Sequence, residues 1–242
     1  MDLKPLKTFH NTTNRLCRFS KDGTDFLVKC YSGPNAEGRR RREARVLSLW
    51  AAHGYFVPLC HDILIPGMEG PYLVMDYLDG ICISEYLSSQ HIPVKTKRVT
   101  LKKLFQNNAV RHAKALVSKN PDFVQYDANT GNIVITADRY FHVDFETPPK
   151  NRPIGDLVCK EMAKFCRWTV RDMGREYLYD ITGLLVNAYE DQLWLIDRIV
   201  ALPTRRPFQI LHRQRDAKKK KRDPGEITKY DIADALKHLR QA

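Results

Sequence analysis

The stretch Asp127-Ala128-Asn129-Thr130-Gly131-Asn132, followed twelve residues later by Asp144-Phe145-Glu146, carries the most information about this chain. Moving a phosphoryl group from ATP requires a carboxylate that orients the acceptor hydroxyl, and hard oxygen ligands for the Mg²⁺ that bridges the phosphates. The spacing therefore predicts that Asp127 orients the acceptor while Asn132 and Asp144 converge on one Mg²⁺. The alternative is an ordinary hairpin turn at 129–132 and a strand-end acid at 144, but the joint spacing favours the first interpretation.

A second pair of residues lies upstream of that stretch. Lys29 falls in the apolar segment Phe26–Tyr31, and a buried ammonium group requires an anionic partner. Glu43 lies on the apolar side of a helix predicted over residues 38–52. A strand lysine that pairs with a helix glutamate and binds ATP phosphates is the arrangement that kinases use. In the alternative, Lys29 faces solvent and Glu43 pairs with one of the arginines at 39–42.

The patterning along the chain predicts an α+β fold with two lobes. Strands are expected at residues 15–19, 25–31, 57–65 and 72–78 with a short strand before residue 11, then at 123–135 and 140–145; helices are expected at 38–52, 100–118, 154–170, 176–189, 192–202 and 229–240. This order predicts a β-rich N-terminal lobe over residues 1–78, with a nucleotide-binding sheet and one helix. A helical C-terminal lobe over 79–204 would carry the catalytic loop, and a basic tail with a short terminal helix would occupy 205–242.

The composition indicates a globular protein: 43% of its 242 residues are hydrophobic and its mean hydropathy is −0.46. No apolar stretch is long enough to cross a bilayer, and the first residues lack the apolar region of a signal peptide. A cytoplasmic location is therefore expected. The six cysteines are scattered without a Cys-x-x-Cys pair, which argues against disulfides and a zinc site.

The net charge of +12 is concentrated in one segment. Residues Arg205–Arg222 include nine basic side chains and one acidic side chain, so this segment carries +8 of the total. Such a run of basic residues is usually a solvated segment. The functional interpretation is that it contacts an anionic membrane or an acidic glycolipid. Nucleic acid is a less favoured partner because aromatic residues are not interleaved with the charges.

The five residues Lys29, Glu43, Asp127, Asn132 and Asp144, in this order, resemble the protein-kinase-like superfamily. The likeness is greatest to its small-molecule branch, the aminoglycoside phosphotransferase and choline/ethanolamine kinase group, with lipopolysaccharide kinases as a neighbour. Three segments carry this resemblance: Thr12–Arg18 looks like the first hairpin, Tyr126–Asn132 like the catalytic loop, and His142–Glu146 like the Ile-Asp-Phe-Glu ending. The resemblance covers residues 9 to 170.

The resemblance implies an ATP- and Mg²⁺-dependent transfer of the γ-phosphate to a hydroxyl of a small molecule or a lipid-linked sugar. It further implies roles for two sets of nucleotide-binding residues. Backbone and side chains of Thr12, Thr13 and Asn14 would contact the phosphates, and the linker residues Tyr77 and Leu78 would contact adenine. Asp156 would brace the catalytic loop, or would be an acid favoured by the dipole at a helix start.

Several positions depart from the pattern of the superfamily. Gln125 stands where the small-molecule kinases have histidine, Asn129 stands where protein kinases carry lysine or arginine, and the loop at 11–15 has no glycine. The short interval between Asp144 and Asp156 leaves no room for a regulated activation loop. Two alternatives remain open at this point: an atypical protein kinase of the RIO type, and a pseudokinase that binds polyanions through its basic tail.

Overall fold

The computed structural model describes residues 3–5, 14–137, 139–203 and 225–241, together with residues 214, 216 and 218. The chain divides into two compact units, Met1–Ile81 with Ile133–Pro148, and Cys82–Asn132 with Pro149–Ala242. The first unit is mainly antiparallel sheet and the second is mainly helical, so the predicted α+β fold class is confirmed. The linear domain boundaries after residues 78 and 204 stay a prediction.

The first unit is built on a five-stranded antiparallel sheet. Its elements in chain order are β1 (Leu3–Pro5), β2 (Arg15–Lys21), β3 (Thr24–Cys30), α1 (Ala36–Ala52), β4 (Cys60–His61) and β5 (Tyr72–Asp76), and the strand order is β1-β2-β3-β5-β4. The β2–β3 hairpin turns at Asp22 and Gly23, both with positive φ, which is the two-residue turn whose twist matches paired strands. The predicted short first strand and hairpin are therefore present.

The two faces of β3 explain where the side chain of Lys29 points. Val28 is fully buried in a small core with Cys17, Phe19, Ile65 and Val74. Successive side chains of a strand point to opposite faces, so the side chain of Lys29 leaves the sheet on the other side. That side is where it meets α1.

Residues 133–148 belong to the first unit because they pack against α1. Trp50 is fully buried, and its ring contacts the rings of His142 and Phe145 at centroid distances of 5.2 and 4.7 Å. The His142 N–H also donates to the Phe56 carbonyl at 3.0 Å. These contacts place the segment after His142, which includes Asp144, next to the buried side of α1.

Two predicted strands are largely wrong. The expected strand at 57–65 is reduced to β4, since Pro58 cannot donate to a ladder. The expected strand at 123–135 consists of 3-10 turns at Pro121–Phe123 and Thr130–Asn132, and only β7 (Ile133–Thr136) is extended. With β6 (Ile81–Cys82) and β8 (Arg139–His142), β7 forms a second sheet in the order β6-β7-β8.

Helices make up most of the second unit. They are α2 (Ile83–Ser88), α3 (Val94–Ser118), α4 (Ile154–Met173), α5 (Leu178–Ala188), α6 (Leu193–Ala201) and α7 (Lys229–Gln241), with 3-10 turns at Arg175–Tyr177 and Glu190–Gln192. The helix predicted from residue 100 begins at Val94, directly after Pro93. Among the described residues, no helix is both long and apolar enough to cross a membrane.

A buried polar network joins α3, α4 and α5. Arg111 of α3 donates from Nη1 to the Phe123 carbonyl at 2.5 Å and forms an ion pair with Glu161 of α4. His112 accepts the Tyr189 hydroxyl at Nδ1 (2.6 Å) and has Nε2 3.0 Å from Glu161. Burial lowers the pKa of His112, so its ring is neutral inside this network.

The Arg111–Glu161 pair yields a stability prediction. Although burial opposes ionisation, Arg111 and His112 lower the pKa of Glu161 to about 2. Replacing Arg111 by Met should reduce the free energy of unfolding by about 3–5 kcal/mol, because the change leaves a buried carboxylate without its cation. Urea unfolding of Arg111→Met beside wild type measures this loss.

The control is Arg98→Met, since Arg98 forms an exposed pair with Asp180 at 3.5 Å, worth about 0–1 kcal/mol. The pKa of Glu161 is lowered on folding, so its contribution is complete above the unfolded value of 4.5 and is lost as pH falls towards 2. Glu161→Gln should lack this part of the pH dependence. Equal stability of Arg111→Met and Arg98→Met would contradict the prediction that the buried Arg111–Glu161 ion pair stabilises the fold.

Candidate functional site

Lys29 lies at the centre of a carboxylate cluster in the first unit. Its Nζ is 2.7 Å from Glu43 Oε2, 2.7 Å from Asp144 Oδ1 and 3.5 Å from Glu146 Oε2. The side chains of Lys29 and Glu43 are 9% and 2% exposed. The predicted pairing of Lys29 with Glu43 is therefore present, and a solvent-facing Lys29 is wrong.

The carboxylate of Glu43 is held by three donors. Lys29 and the Tyr31 hydroxyl donate to Oε2 at 2.7 and 2.6 Å, and the Phe145 N–H donates to Oε1 at 3.3 Å. All three hydrogen bonds are made to acceptor oxygens, which stabilises the ionised form. Glu43 therefore connects α1 both to β3 and to the residue that follows Asp144.

The charge state of the cluster follows from burial and from neighbouring charges. Burial by itself lowers the pKa of Lys29, but the carboxylates of Glu43, Asp144 and Glu146 outweigh it and raise the pKa well above the usual value. Burial, together with the charge of Glu43, likewise raises the pKa of the Tyr31 hydroxyl. At neutral pH the cluster therefore contains an ammonium ion and a neutral phenol that donates.

Glu146 extends the cluster towards the first hairpin. Asn14 Nδ2 donates to Glu146 Oε2 at 2.6 Å, and Arg39 Nη1 donates to Glu146 Oε1 at 3.3 Å. Asn14 thus lies beside the residues with which it was predicted to act, whereas Thr12 and Thr13 lie outside the described residues. Glu146 was not among the predicted site residues, although its place in the stretch Asp144-Phe145-Glu146 was a usable signal.

Asp144 belongs to a group of carboxylates that could hold a metal ion. Its backbone is left-handed (φ 67°) and its side chain keeps 35% exposure while Oδ1 accepts from Lys29. Carboxylate oxygens of Glu43, Asp144 and Glu146 lie within 4.8 Å of one another. Carboxylate oxygens are hard donors that suit Mg²⁺. The carboxylate of Asp144 therefore fits the ion that the sequence implied.

The second group of predicted residues lies on the catalytic loop, Tyr126–Asn132, in the second unit. Asn132 Nδ2 donates to the Asp127 carbonyl at 2.9 Å, and the Asn132 N–H donates to the Asn129 carbonyl at 3.1 Å. Since the amide nitrogen of Asn132 is engaged, Oδ1 is the atom that remains for a cation. The side chain of Asp127 is 39% exposed.

Helix α4 holds this loop along one face. Three of its side chains each contact one point of the segment 125–130: Glu161 accepts the Gln125 N–H at 2.8 Å, Lys164 forms an ion pair with Asp127, and Asp172 accepts the Thr130 hydroxyl. Sequence reasoning missed Lys164 and Asp172. The available signal was the presence of charged residues at 161, 164 and 172, which share a helix face at spacings of three and eleven.

Asp156 and the linker residues have other neighbours than expected. Asp156 does not brace the loop in this structure: its Oδ1 accepts from Arg198 of α6 at 2.7 Å. Tyr77 and Leu78 are half-buried, and the guanidinium of Arg18 lies 4.6 Å from the centre of the Tyr77 ring. Adenine binding by Tyr77 and Leu78 stays a prediction, as does the convergence of Asp127, Asn132 and Asp144 on one cation.

Removing the cation of the Lys29 cluster should destabilise the protein. In Lys29→Met, three neighbouring carboxylates lose their shared partner, and the free energy of unfolding should fall by about 3–5 kcal/mol. Lys29→Arg keeps the charge and should lose less. Thermal and urea unfolding measure both variants against Lys21→Met, which removes an exposed lysine of β2. Indistinguishable stabilities of Lys29→Met and Lys21→Met would show that the cluster is not an ionised unit.

Comparison with known proteins identifies similar structures but no similar sequences. No protein-family profile matches the chain, and no curated protein matches it. The chain is similar to WaaP solved in complex with acyl carrier protein (16% identity, 81% of this chain and 89% of that one, TM-score 0.40). It is also similar to the PknI kinase domain of M. tuberculosis, with 15% identity, coverage of 99% of this chain and 94% of that one, and a TM-score of 0.49. A third similar structure is an ethanolamine kinase of Plasmodium vivax, with 13% identity, coverage of 81% of this chain and 70% of that one, and a TM-score of 0.45. These likenesses agree with the predicted protein-kinase-like fold, and at such scores they carry no argument about activity or substrate.

Proposed function

We propose that this chain is an ATP- and Mg²⁺-dependent phosphotransferase that moves the γ-phosphate to a hydroxyl group. The observation that carries the proposal is the buried ammonium of Lys29, held between Glu43 of α1 and Asp144. A cation fixed beside a partly exposed aspartate suits a ligand that brings both phosphate and metal. Kinases use a strand lysine, a helix glutamate and a metal-binding aspartate in this combination.

Each residue has a distinct role in the proposal. Lys29 would bind phosphate oxygens, and Glu43 would hold Lys29. Asp144 and Asn132 would bind Mg²⁺, which neutralises charge on the phosphates when bound. The sequence predicts further nucleotide contacts at Thr12, Thr13, Asn14, Tyr77 and Leu78.

Asp127 would act on the acceptor. Its exposed carboxylate would orient the acceptor hydroxyl and accept its proton, while the acceptor oxygen forms a bond to the γ-phosphorus. The bond from that phosphorus to the β–γ bridging oxygen breaks, and its electron pair leaves with ADP. Orientation by a fixed carboxylate is the main contribution that a protein side chain makes in such a transfer.

The acceptor is proposed to be a small molecule or a lipid-linked sugar. Only residues 147–153 separate Glu146 from the start of α4, so this part of the chain offers no long platform for a peptide. The acceptor class rests on this short connection and on the basic segment Arg205–Arg222, which lies largely outside the described residues.

Substitutions of the two aspartates test the activity. Asp127→Asn should lower kcat for transfer from labelled ATP by about 10²-fold or more with MgATP binding kept, because only the acceptor loses its orienting carboxylate. Asp144→Asn should lose the Mg²⁺-dependent part of ATP binding. Asparagine is chosen at 144 because it tolerates the left-handed backbone there.

The matched control is Asp62→Asn, an exposed aspartate of the first unit. The assay should screen sugars, amino alcohols and lipid-linked glycans as acceptors, with ATP hydrolysis as the readout that needs no acceptor. Wild-type rates in the Asp127→Asn variant would reject the proposed activity. Transfer to a protein substrate instead would favour the atypical protein kinase alternative.

The basic segment leads to a separate expectation about membranes. We expect the protein to act peripherally at an anionic membrane face, since each lysine or arginine near such a surface contributes about 1 kcal/mol. Replacing Lys218–Lys221 by glutamine should weaken co-sedimentation with phosphatidylglycerol vesicles by roughly 10²-fold or more. Wild-type binding should also fall as salt rises, because the Debye length shrinks.

The control replaces four exposed lysines of α3 by glutamine: Lys95, Lys102, Lys103 and Lys114. It removes the same charge from a different surface. Equal loss of vesicle binding in both variants would show that net charge, rather than the segment at 205–222, causes the attraction. Unchanged binding in the Lys218–Lys221 variant would remove the membrane expectation.

A further inference from the structure

The catalytic loop has no cation of its own. The sequence Tyr126–Asn132 contains no lysine, arginine or histidine, so the carboxylate of Asp127 has no basic neighbour along the chain. The fold supplies one from α4: Lys164 Nζ forms an ion pair with Asp127 Oδ1. A group 37 positions away in sequence therefore sets the charge beside the proposed acceptor-binding carboxylate.

The ion pair between Lys164 and Asp127 differs from an ordinary surface ion pair, because neighbouring hydrogen bonds fix the backbone around it. Exposed pairs contribute little on their own, because two flexible side chains must be ordered. Here the loop is fixed to α4 on both sides of Asp127, at the Gln125 N–H by Glu161 and at the Thr130 hydroxyl by Asp172. With those two points held, the backbone distance between residues 127 and 164 is set before the ion pair forms.

The exposure of the pair leaves room for a substrate. The side chains of Lys164 and Asp127 are 32% and 39% exposed, so both reach solvent from a fixed backbone. Lys164 occupies Oδ1 of Asp127, which leaves Oδ2 to accept from a hydroxyl. Its positive charge also reduces the repulsion between the carboxylate and an approaching anionic phosphoryl group.

We propose that Lys164 is a positioning residue of the phosphoryl transfer: it holds the Asp127 carboxylate in the orientation that receives the acceptor hydroxyl, and α4 thereby supplies the cation that the loop lacks. The inference rests on the proposed function of Asp127. It assigns a role in turnover to a helix residue that no motif in the sequence marks.

Steady-state kinetics of MgATP turnover test this role. Lys164→Met should lower kcat on the order of 10²-fold, as a misplaced catalytic group does, with the KM for ATP unchanged. Lys164→Arg keeps a cation at the same place and should recover most of the rate. A lysine moved into the loop, in the double variant Lys164→Met/Asn129→Lys, should recover part of it, because Asn129 already contacts the Asp127 carbonyl at 3.4 Å.

The control is Lys103→Met, which removes an exposed lysine of α3 and should leave turnover and stability unchanged. Lys164→Met and wild type should unfold at the same midpoint concentration of urea. This result would separate a role of Lys164 in turnover from a role in folding. If Asp127→Asn loses turnover but Lys164→Met keeps the wild-type rate, the role of Lys164 is wrong and the proposed function stands. Absence of MgATP turnover in wild type overturns the proposed function and this inference together.

Discussion

The ammonium group of Lys29 among three carboxylates is the interaction on which the first unit depends. Glu43 comes from the middle of α1, and Asp144 and Glu146 come from a segment more than a hundred residues later. Burial raises the pKa of the Glu43 carboxyl, and the ammonium group of Lys29 acts in the opposite direction. One cation contacts all three carboxylates. It therefore joins sheet, helix and the segment after β8, and fixes the side chains that the proposed reaction uses.

The second unit solves a similar problem with a helix. Helix α4 packs its apolar side into the core through residues such as Val158, Met162 and Phe165, and turns charged side chains towards the catalytic loop. Glu161 serves both purposes, since it neutralises buried Arg111 and accepts the N–H of Gln125. Stability and loop geometry are thus coupled in one residue.

Local chemistry accounts for much of what could be predicted. The hairpin at 15–30 follows from alternating side chains around Asp22-Gly23, and α1 from its apolar spacing. The pairing of Lys29 with Glu43 could be predicted because an ammonium group in an apolar strand requires an anion, and Glu43 lies on the inward side of α1. The segments misassigned as strands, at 57–65 and 123–135, contain proline or turn-forming residues, which interrupt an extended backbone.

The sequence by itself determined the α+β order of elements, the identity of the lysine–glutamate pair and the residue types on which the proposed phosphoryl transfer rests. It did so because these depend on neighbours in the chain and on the energy of burying a charge. Only the tertiary structure decided that Glu146 joins the Lys29 cluster, that Lys164 and Asp172 hold the catalytic loop, and that Asp156 pairs with Arg198. Those contacts join residues that lie tens of positions apart in the sequence. Many partners are compatible with a charge there, and packing alone selects one.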